Sequence, residues 1–143
     1  MYVIQTNDAE LLAAHHQEDE TNVVRAMWPV HRGTGARNTA AVYFELAAGA
    51  HLGTHTDSAE EVLLVLEGEV DITVGDERAR AGAGAIAVVP AEVPHDVAAV
   101  DGPAKVAGVF SSNTIVSVFD DTWVPYGTRV LGTPPPAETL AAA

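Results

Sequence analysis

The segment GAHLGTHTDSAEEVLLVLEGE (residues 49–69) decides the fold prediction for this chain. Its first half holds two histidines and three acidic residues, and its second half is a nearly unbroken apolar run that ends at a Glu-Gly-Glu turn. Residues two apart share a face of a strand, so both faces of Val62–Leu66 are apolar. We therefore expect a strand that the interior of a barrel covers on one side. A second subunit or the terminal arms would cover the other side.

Short β-rich runs, separated by Gly and Pro, continue along the chain. They are Ala41–Leu46, Val62–Leu66, Val70–Val74, Ile86–Val89, Val106–Phe110 and Ile115–Phe119. This spacing is typical of an all-β sandwich or barrel, here a single domain over residues 1–143. One short N-terminal helix is predicted over Ala9–His16, with Asn7 or Asp8 as its N-cap. The C-terminal TPPPAETLAAA (residues 133–143) is predicted to be a stiff, extended arm.

Composition excludes several classes of function. The 143 residues carry a formal charge of −13, from 20 acidic against 7 basic residues, which disfavours nucleic-acid and anionic membrane partners. There is no cysteine, and therefore no disulfide, thiolate ligand or thiol nucleophile. The N-terminus lacks the pattern of a signal peptide, and no apolar run is long enough to span a membrane. We expect a cytoplasmic protein.

The histidines and acids suggest a metal site. His55 and Asp57 are two residues apart, and Glu61 and His51 have the same parity, so all four would face one side of a strand. His95 lies in a distant, proline-marked turn, VVPAEVPHDV. Nitrogen and carboxylate donors suit Fe(II), Mn(II), Ni(II), Zn(II) or Co(II), and two His with one carboxylate is the donor set of non-haem iron oxygenases. The alternative is a polar rim of loop residues wetted by solvent.

Two motifs in this chain resemble those of the cupin superfamily. The first family motif is Gly, five residues, His, one residue, His, three or four residues, Glu, six residues, Gly. Its positions here are Gly49, His55, Asp57, Glu61 and Gly68. The second motif is Gly, five residues, Pro, one residue, Gly, two residues, His, three residues, Asn. Its positions here are Gly84, Pro90, Glu92, His95 and Ala99. The resemblance covers residues 40–110.

The chain departs from the family pattern at three positions. Glu92 and Ala99 replace a Gly and an Asn of the framework, whereas Asp57 replaces a His that is a metal ligand. Asp57 could itself bind the metal. Alternatively, it could point away and hydrogen-bond the hairpin, which would leave His55, Glu61 and His95 as the ligands. His51 is a further candidate ligand in that case.

The resemblance implies a cupin jelly-roll barrel (double-stranded β-helix) with terminal arms and a divalent transition metal (Fe, Mn, Ni or Zn) in its mouth. It points to a small single-domain cupin of the bacterial type, distantly similar to cupin dioxygenases and polyketide cyclases, and to a homodimer. The expected function is a metal-dependent enzyme acting on a small, largely apolar organic substrate, with oxygenase chemistry favoured. The alternatives are a redox-neutral cyclase or isomerase of a polyketide-like metabolite and a non-catalytic ligand-binding protein. Asp57 and Glu61 are the candidate catalytic bases.

Two other groups of residues have ordinary interpretations. The bases near the N-terminus could clamp an anion at the barrel mouth, but a charged surface loop is favoured. They are Arg25, His31, Arg32 and Arg37. The large aromatics are interpreted as core or as packing of the terminal arms rather than as the lining of a cavity. They are Trp28, Phe44, Phe110, Trp123 and Tyr126.

Overall fold

A computed structural model describes residues 1–134 of the chain, and these residues form one curled antiparallel sheet. Its strands are β1 (Leu12–His16), β2 (Asp19–Val30), β3 (Ala40–Leu46), β4 (His55–Asp57), β5 (Glu61–Glu67), β6 (Glu69–Val74), β7 (Glu77–Gly82), β8 (Ile86–Val89), β9 (His95–Ala99), β10 (Ala104–Phe110), β11 (Val116–Val124) and β12 (Thr128–Gly132). Two single-turn 3₁₀ helices, Thr6–Asp8 and Arg32–Thr34, complete the described elements.

The order of the strands in space differs greatly from their order in the chain. It runs β7-β6-β9-β4-β11-β1-β2-β3-β10-β5-β8, and β12 adds to β11. Every strand pair is antiparallel, and the central strands β4, β9 and β11 come from distant parts of the sequence. This topology confirms the predicted all-β jelly-roll. Within residues 1–134 no helix is long and apolar enough to cross a membrane.

Strand β5, between β10 and β8, has one buried and one open face. Leu63 and Val65 point inward and are 1% and 2% exposed, in the main hydrophobic cluster. Val62 and Leu64 point outward and are half-buried, and Leu66 is 46% exposed. The inner face is therefore covered as predicted, whereas the described residues leave much of the outer face open to solvent.

The predicted N-terminal helix is wrong. The segment Ala9–His16 contains strand β1, which pairs with β2 on one side and β11 on the other. Its alanines and leucines favour a helix intrinsically, but the hydrogen bonds offered by two neighbouring strands override that weak preference. The predicted extended arm lies outside the described residues from Pro135 onward.

Candidate metal centre

Strand pairing brings the two motif histidines together. β4 and β9 pair at a single position, where His55 is directly opposite His95. On its other side β4 pairs with β11, which places Asp57 opposite Ser117 and His55 opposite Phe119. Directly opposed residues in an antiparallel pair have Cβ atoms about 5 Å apart. Two segments forty residues apart therefore place their imidazoles side by side, with ring centroids 4.1 Å apart.

Backbone carbonyls fix the orientation of both imidazole rings. Nδ1 of His55 donates to the carbonyl of Gly53 at 2.7 Å, and Nδ1 of His95 donates to the carbonyl of Val93 at 2.9 Å. A carbonyl only accepts, so each Nδ1 carries a proton and each Nε2 is the atom available to a metal. Such anchoring of the second ring nitrogen is the usual support of a metal-bound histidine.

Three side chains direct their ligand atoms at one point. Nε2 of His95 lies 3.0 Å from Oδ2 of Asp57, and Nε2 of His55 lies 3.6 Å from the same oxygen. One ligand atom from each of the three residues lies within 4.8 Å of the others. His95 Nε2 and Asp57 Oδ2 are buried, and neither makes a hydrogen bond of suitable direction. Buried polar atoms are rarely left without a hydrogen-bond partner. Two nitrogens and one oxygen around one point fit a divalent transition-metal ion.

Asp57 faces this group rather than the hairpin. Its Oδ1 accepts a 2.5 Å hydrogen bond from the hydroxyl of Ser117, which leaves Oδ2 directed at the histidines. The side chains of Asp57 and His55 are both 4% exposed. Ser117 was not identified from the sequence, because a serine sixty residues away carries no signal until the β4–β11 pairing is known.

Glu61 is at the edge of the same group. Its Oε1 lies 3.4 Å from His95 Nε2, but Glu61 does not belong to the set of three whose ligand atoms all lie close together. The carboxylate lies over Gly108 on β10, where an added Cβ would be 2.0 Å from Oε2. Gly108 therefore makes the room that this buried acid requires.

The burial and proximity of these groups shift their pKa values. Burial, reinforced by the charge of His95, lowers the pKa of His55. Burial would also lower the pKa of His95, but the carboxylates of Asp57 and Glu61 outweigh it and raise that pKa to about 10. Burial would raise the pKa of Asp57, but His95, His55 and the Ser117 hydroxyl together hold it below 3.8. Glu61 differs, because burial raises its pKa and the contact with His95 only partly opposes this.

The structure does not bring His51 into the group. Its Nδ1 donates to Oδ2 of Asp96 at 2.8 Å, and its side chain is 42% exposed. The predicted shared face fails because residues 49–54 are not a strand: Gly49 and Gly53 have φ of 77° and 100° and turn the chain before β4 begins. Asp96 also accepts from the N–H of Gly53 at 2.8 Å, so it holds the segment that anchors His55.

A cavity of about 640 Å³ opens next to the three-residue group. Asp57, His55, Glu61 and Ser117 lie on its wall, and the rest of the lining is mainly aliphatic and aromatic. Phe44, Phe110 and Trp123 are buried in the hydrophobic clusters, as predicted. They also line this cavity, together with Trp28, Phe119 and Tyr126. Sequence reasoning missed this role because a strand residue that faces a cavity has the same periodicity as one that faces a packed core.

The basic residues near the N-terminus do not line the cavity. Arg25 is exposed and pairs with Glu45 at 3.5 Å, and Arg32 and Arg37 are also exposed. His31 is buried, but its Nδ1 accepts from the N–H of Gly33 and closes the turn at Arg32–Thr34. The interpretation as a charged surface region therefore describes these arginines better than an anion clamp does.

Comparisons with known proteins agree with this architecture. Residues 42–110 match the family model described as Cupin domain. No curated protein matches the chain significantly in sequence. The fold is similar to that of KdgF from Halomonas sp., with a TM-score of 0.62, 18% identity and coverage of 78% of this chain and 93% of that one.

Two further solved structures share the fold. The polyketide cyclase RemF from Streptomyces resistomycificus has a TM-score of 0.63 and 17% identity, over 77% of this chain and 78% of that one. Salicylate 1,2-dioxygenase from Pseudaminobacter salicylatoxidans has a TM-score of 0.55 and 22% identity, over 62% of this chain but only 26% of the dioxygenase. The motif match, the jelly-roll topology and these neighbours agree: residues 42–110 are a cupin domain, and the chain has the cupin fold.

Proposed function

We propose that this protein is a metal-dependent enzyme that converts a small, largely apolar organic compound in the cavity, with oxygenase chemistry as the leading candidate. The observation that carries the proposal is the convergence of His55, Asp57 and His95 on one point at the wall of an apolar cavity. Two imidazoles and one carboxylate are the donors of non-haem Fe(II) oxygenases, whose remaining coordination positions are open to substrate and O₂. When bound, such a metal supplies O₂ activation and polarises a substrate oxygen.

The residues of the chain hold and shield this centre. Ser117 fixes the direction of the Asp57 carboxylate, and the carbonyls of Gly53 and Val93 fix the two imidazoles. Phe119 stacks on His55 with ring centroids 4.5 Å apart and covers its outer side. An apolar lining around a polar centre excludes water and orients a hydrophobic substrate with its oxygen-bearing edge toward the histidines.

A redox-neutral cyclase or isomerase is the second candidate, and Glu61 is the observation that favours it. This buried carboxyl group is next to His95 but outside the three-residue donor set, and burial raises its pKa. A carboxylate in that position can take the proton from a carbon next to a substrate carbonyl and return it to an oxygen after ring closure or double-bond migration. The shared fold with a polyketide cyclase supports this candidate.

One series of measurements distinguishes the candidates. Protein purified without chelator is analysed for metals, loaded with Fe(II) or Zn(II), and incubated with a panel of enolisable aromatic compounds while O₂ and product are followed. Consumption of O₂ equal to product formation supports the oxygenase, and product without O₂ consumption supports the cyclase or isomerase. Binding of a compound that is never converted would mean a ligand-binding protein instead.

The control pair for this series is His95→Gln and His15→Gln. His95 contributes to the donor set, whereas His15 is on β1, outside that set, and its ring hydrogen-bonds the backbone carbonyl of His16. We expect His95→Gln to lose metal and turnover together and His15→Gln to keep both. Equal metal content and activity in the two variants would contradict the proposal.

A further inference from the structure

The cavity contains acids but no basic side chain. Its acidic lining residues are Glu10 at the rim and Asp57 and Glu61 inside, and His55 is its one imidazole. None of the chain's seven Lys and Arg residues lines it. Those that form ion pairs do so elsewhere, as Arg78 does with Asp71 and Lys105 with Glu67. In the metal-free protein, a carboxylate that entered this cavity would give up its hydration without reaching a Lys or Arg side chain, which is costly in apolar surroundings.

The cavity also concentrates the aromatic residues of the chain. Both tryptophans, all three phenylalanines and one of the three tyrosines line it. Trp28 and Phe110 form one pair with ring centroids 5.7 Å apart, and Phe119 and Trp123 form another at 5.3 Å. Aromatic rings prefer to contact other rings in offset or edge-to-face arrangements, so these pairs favour a flat aromatic ligand over an aliphatic or sugar-like one. A volume of about 640 Å³ lies in the usual range for drug-sized ligands.

From these two features we infer that the compound bound in the cavity is an uncharged, multi-ring aromatic with a hydroxyl or enolisable carbonyl at one edge, and that the metal-free cavity binds carboxylate-bearing counterparts more weakly. The inference rests on the proposed function in taking this cavity as the reaction site. The uncharged rings lie among the aromatic side chains, and the oxygen at the edge reaches the group of His55, Asp57 and His95.

The test compares 2-naphthol with 2-naphthoate, which share the ring system and differ in the carboxylate. Binding to the chelator-treated protein is measured by equilibrium dialysis. Quenching of tryptophan emission, corrected for absorption, reports occupancy because both tryptophans line the cavity. We expect 2-naphthol to bind at least about tenfold more tightly than 2-naphthoate at pH 8, as the loss of an unpaired buried charge implies. Equal affinity for the two, or no binding of 2-naphthol, would overturn the inference.

Two charge-reversal variants separate the effect of the cavity from that of the net charge of −13. Glu10→Lys puts a cation at the rim of the cavity, and Glu20→Lys makes the same change in net charge at an exposed position outside the lining. We expect Glu10→Lys to reduce the ratio of the affinities for 2-naphthol and 2-naphthoate and Glu20→Lys to leave that ratio unchanged. An equal reduction of this ratio in both variants would mean that the overall charge, and not the cavity, weakens the binding of 2-naphthoate. These binding experiments do not measure turnover. The proposed enzyme chemistry is tested separately, by O₂ consumption and product formation.

An independent observation concerns the outer surface of the sheet. Three neighbouring strands, β10, β5 and β8, align two rows of uncharged side chains on their outer face. The rows are Val109, Val62 and Val88, and Ala107, Leu64 and Ile86. Val88 and Ile86 are 60% and 68% exposed, and β8 is at the end of the sheet with no further strand beyond it in residues 1–134. Such an apolar face next to an open edge is an interaction surface or an aggregation hazard.

We propose that this outer β10–β5–β8 face binds a second copy of the chain. The chain carries a charge of −13, and the two rows of this face contain no acid, so two copies can approach here with few acids facing each other. At its margin Lys105 and Glu67 lie 3.5 Å apart, so a copy related by two-fold symmetry can present an acid to a base and a base to an acid. An apolar centre with a charged rim is the usual anatomy of a protein interface.

Mass measurement by light scattering after gel filtration tests the homodimer. We expect the wild-type chain to have twice its 14.9 kDa mass. Val88→Lys is expected to yield monomers. Val130→Lys makes the same substitution at a 50% exposed valine on β12 and should leave the dimer intact. A monomeric wild type, or a dimer that persists in Val88→Lys, would contradict the proposed interface.

Discussion

Replacing Ser117 by Ala tests how the candidate metal centre is held without touching any of its donors. The Ser117 hydroxyl donates a 2.5 Å hydrogen bond to Oδ1 of Asp57 inside the protein, where both residues are buried. A hydrogen bond to a charged group is worth about 1.5–3 kcal/mol. Loss of an outer partner of a metal ligand typically weakens metal binding by about 10- to 100-fold, which corresponds to about 1.4–2.8 kcal/mol. The two ranges of free energy coincide, so we expect Ser117→Ala to raise the Kd for Zn(II) by about 10- to 100-fold.

The same change alters the stability of the metal-free chain in a pH-dependent way. The pKa of Asp57 is held below 3.8, in part by Ser117, so this contribution to stability is present above pH 4 and is lost as pH falls through the folded-state pKa. Ser117→Ala should therefore lower the free energy of unfolding by about 1–3 kcal/mol at neutral pH. The difference from wild type should shrink in acid, where the carboxyl group is protonated in both proteins.

Competition with a chromophoric chelator measures the Kd for Zn(II), and urea denaturation measures the free energy of unfolding. Ser58→Ala is the matched control. It removes a hydroxyl at the same β4–β11 junction, but that hydroxyl accepts from the N–H of Val116 and does not touch Asp57. We expect the control to change the Kd by no more than about threefold, as for an ordinary surface substitution. Unaltered affinity in Ser117→Ala, or an equal loss in Ser58→Ala, would refute the reasoning.

Three further predictions concern neighbouring groups. Zn(II) binding at pH 7.5 should release about one proton, because the pKa of His95 is about 10 in the metal-free chain and its Nε2 must lose a proton to bind the metal. Calorimetry in buffers of different ionisation enthalpy measures the number of protons released. Binding without proton release would disprove this prediction. Gly108→Ala should displace the Glu61 carboxylate, because the new Cβ would lie 2.0 Å from its Oε2. We expect the variant to keep its affinity for Zn(II) and to lose turnover. Loss of Zn(II) binding would mean that Glu61 is a metal ligand. Glu92→Gly should raise the free energy of unfolding by about 1 kcal/mol, because Glu92 has φ of 63°; denaturation that shows no gain would contradict this.

The fold was predictable where its determinants are local. Strand Ile86–Val89 has the bounds expected from the sequence, and the β-rich run Val70–Val74 lies within β6, with Val70 and Ile72 buried. Glu92 replaces the Gly of the second family motif, and the structure has a left-handed conformation there, which Gly adopts more readily. These features follow from periodicity and from the steric limits of single residues, and both can be read directly from a sequence.

The remaining features depend on contacts between distant segments. The sequence spacing predicted that His51, His55, Asp57 and Glu61 share one strand face. Only the pairing of β4 with β9 and β11 brings His95 and Ser117 to them. Ser117 joins through that pairing, and His51 leaves the group because two glycines turn the chain. Strand β1 was mistaken for a helix partly for the same reason: it forms a hairpin with β2, which follows it directly, but its other partner, β11, lies far along the chain.

A crystal structure of the protein after loading with Zn(II), with anomalous scattering recorded at the zinc edge, tests the central claim most directly. The account predicts one strong anomalous peak about 2.0–2.2 Å from Nε2 of His55, Nε2 of His95 and Oδ2 of Asp57. A peak bound elsewhere, or well-ordered side chains of these three residues around a position without anomalous signal, would contradict it.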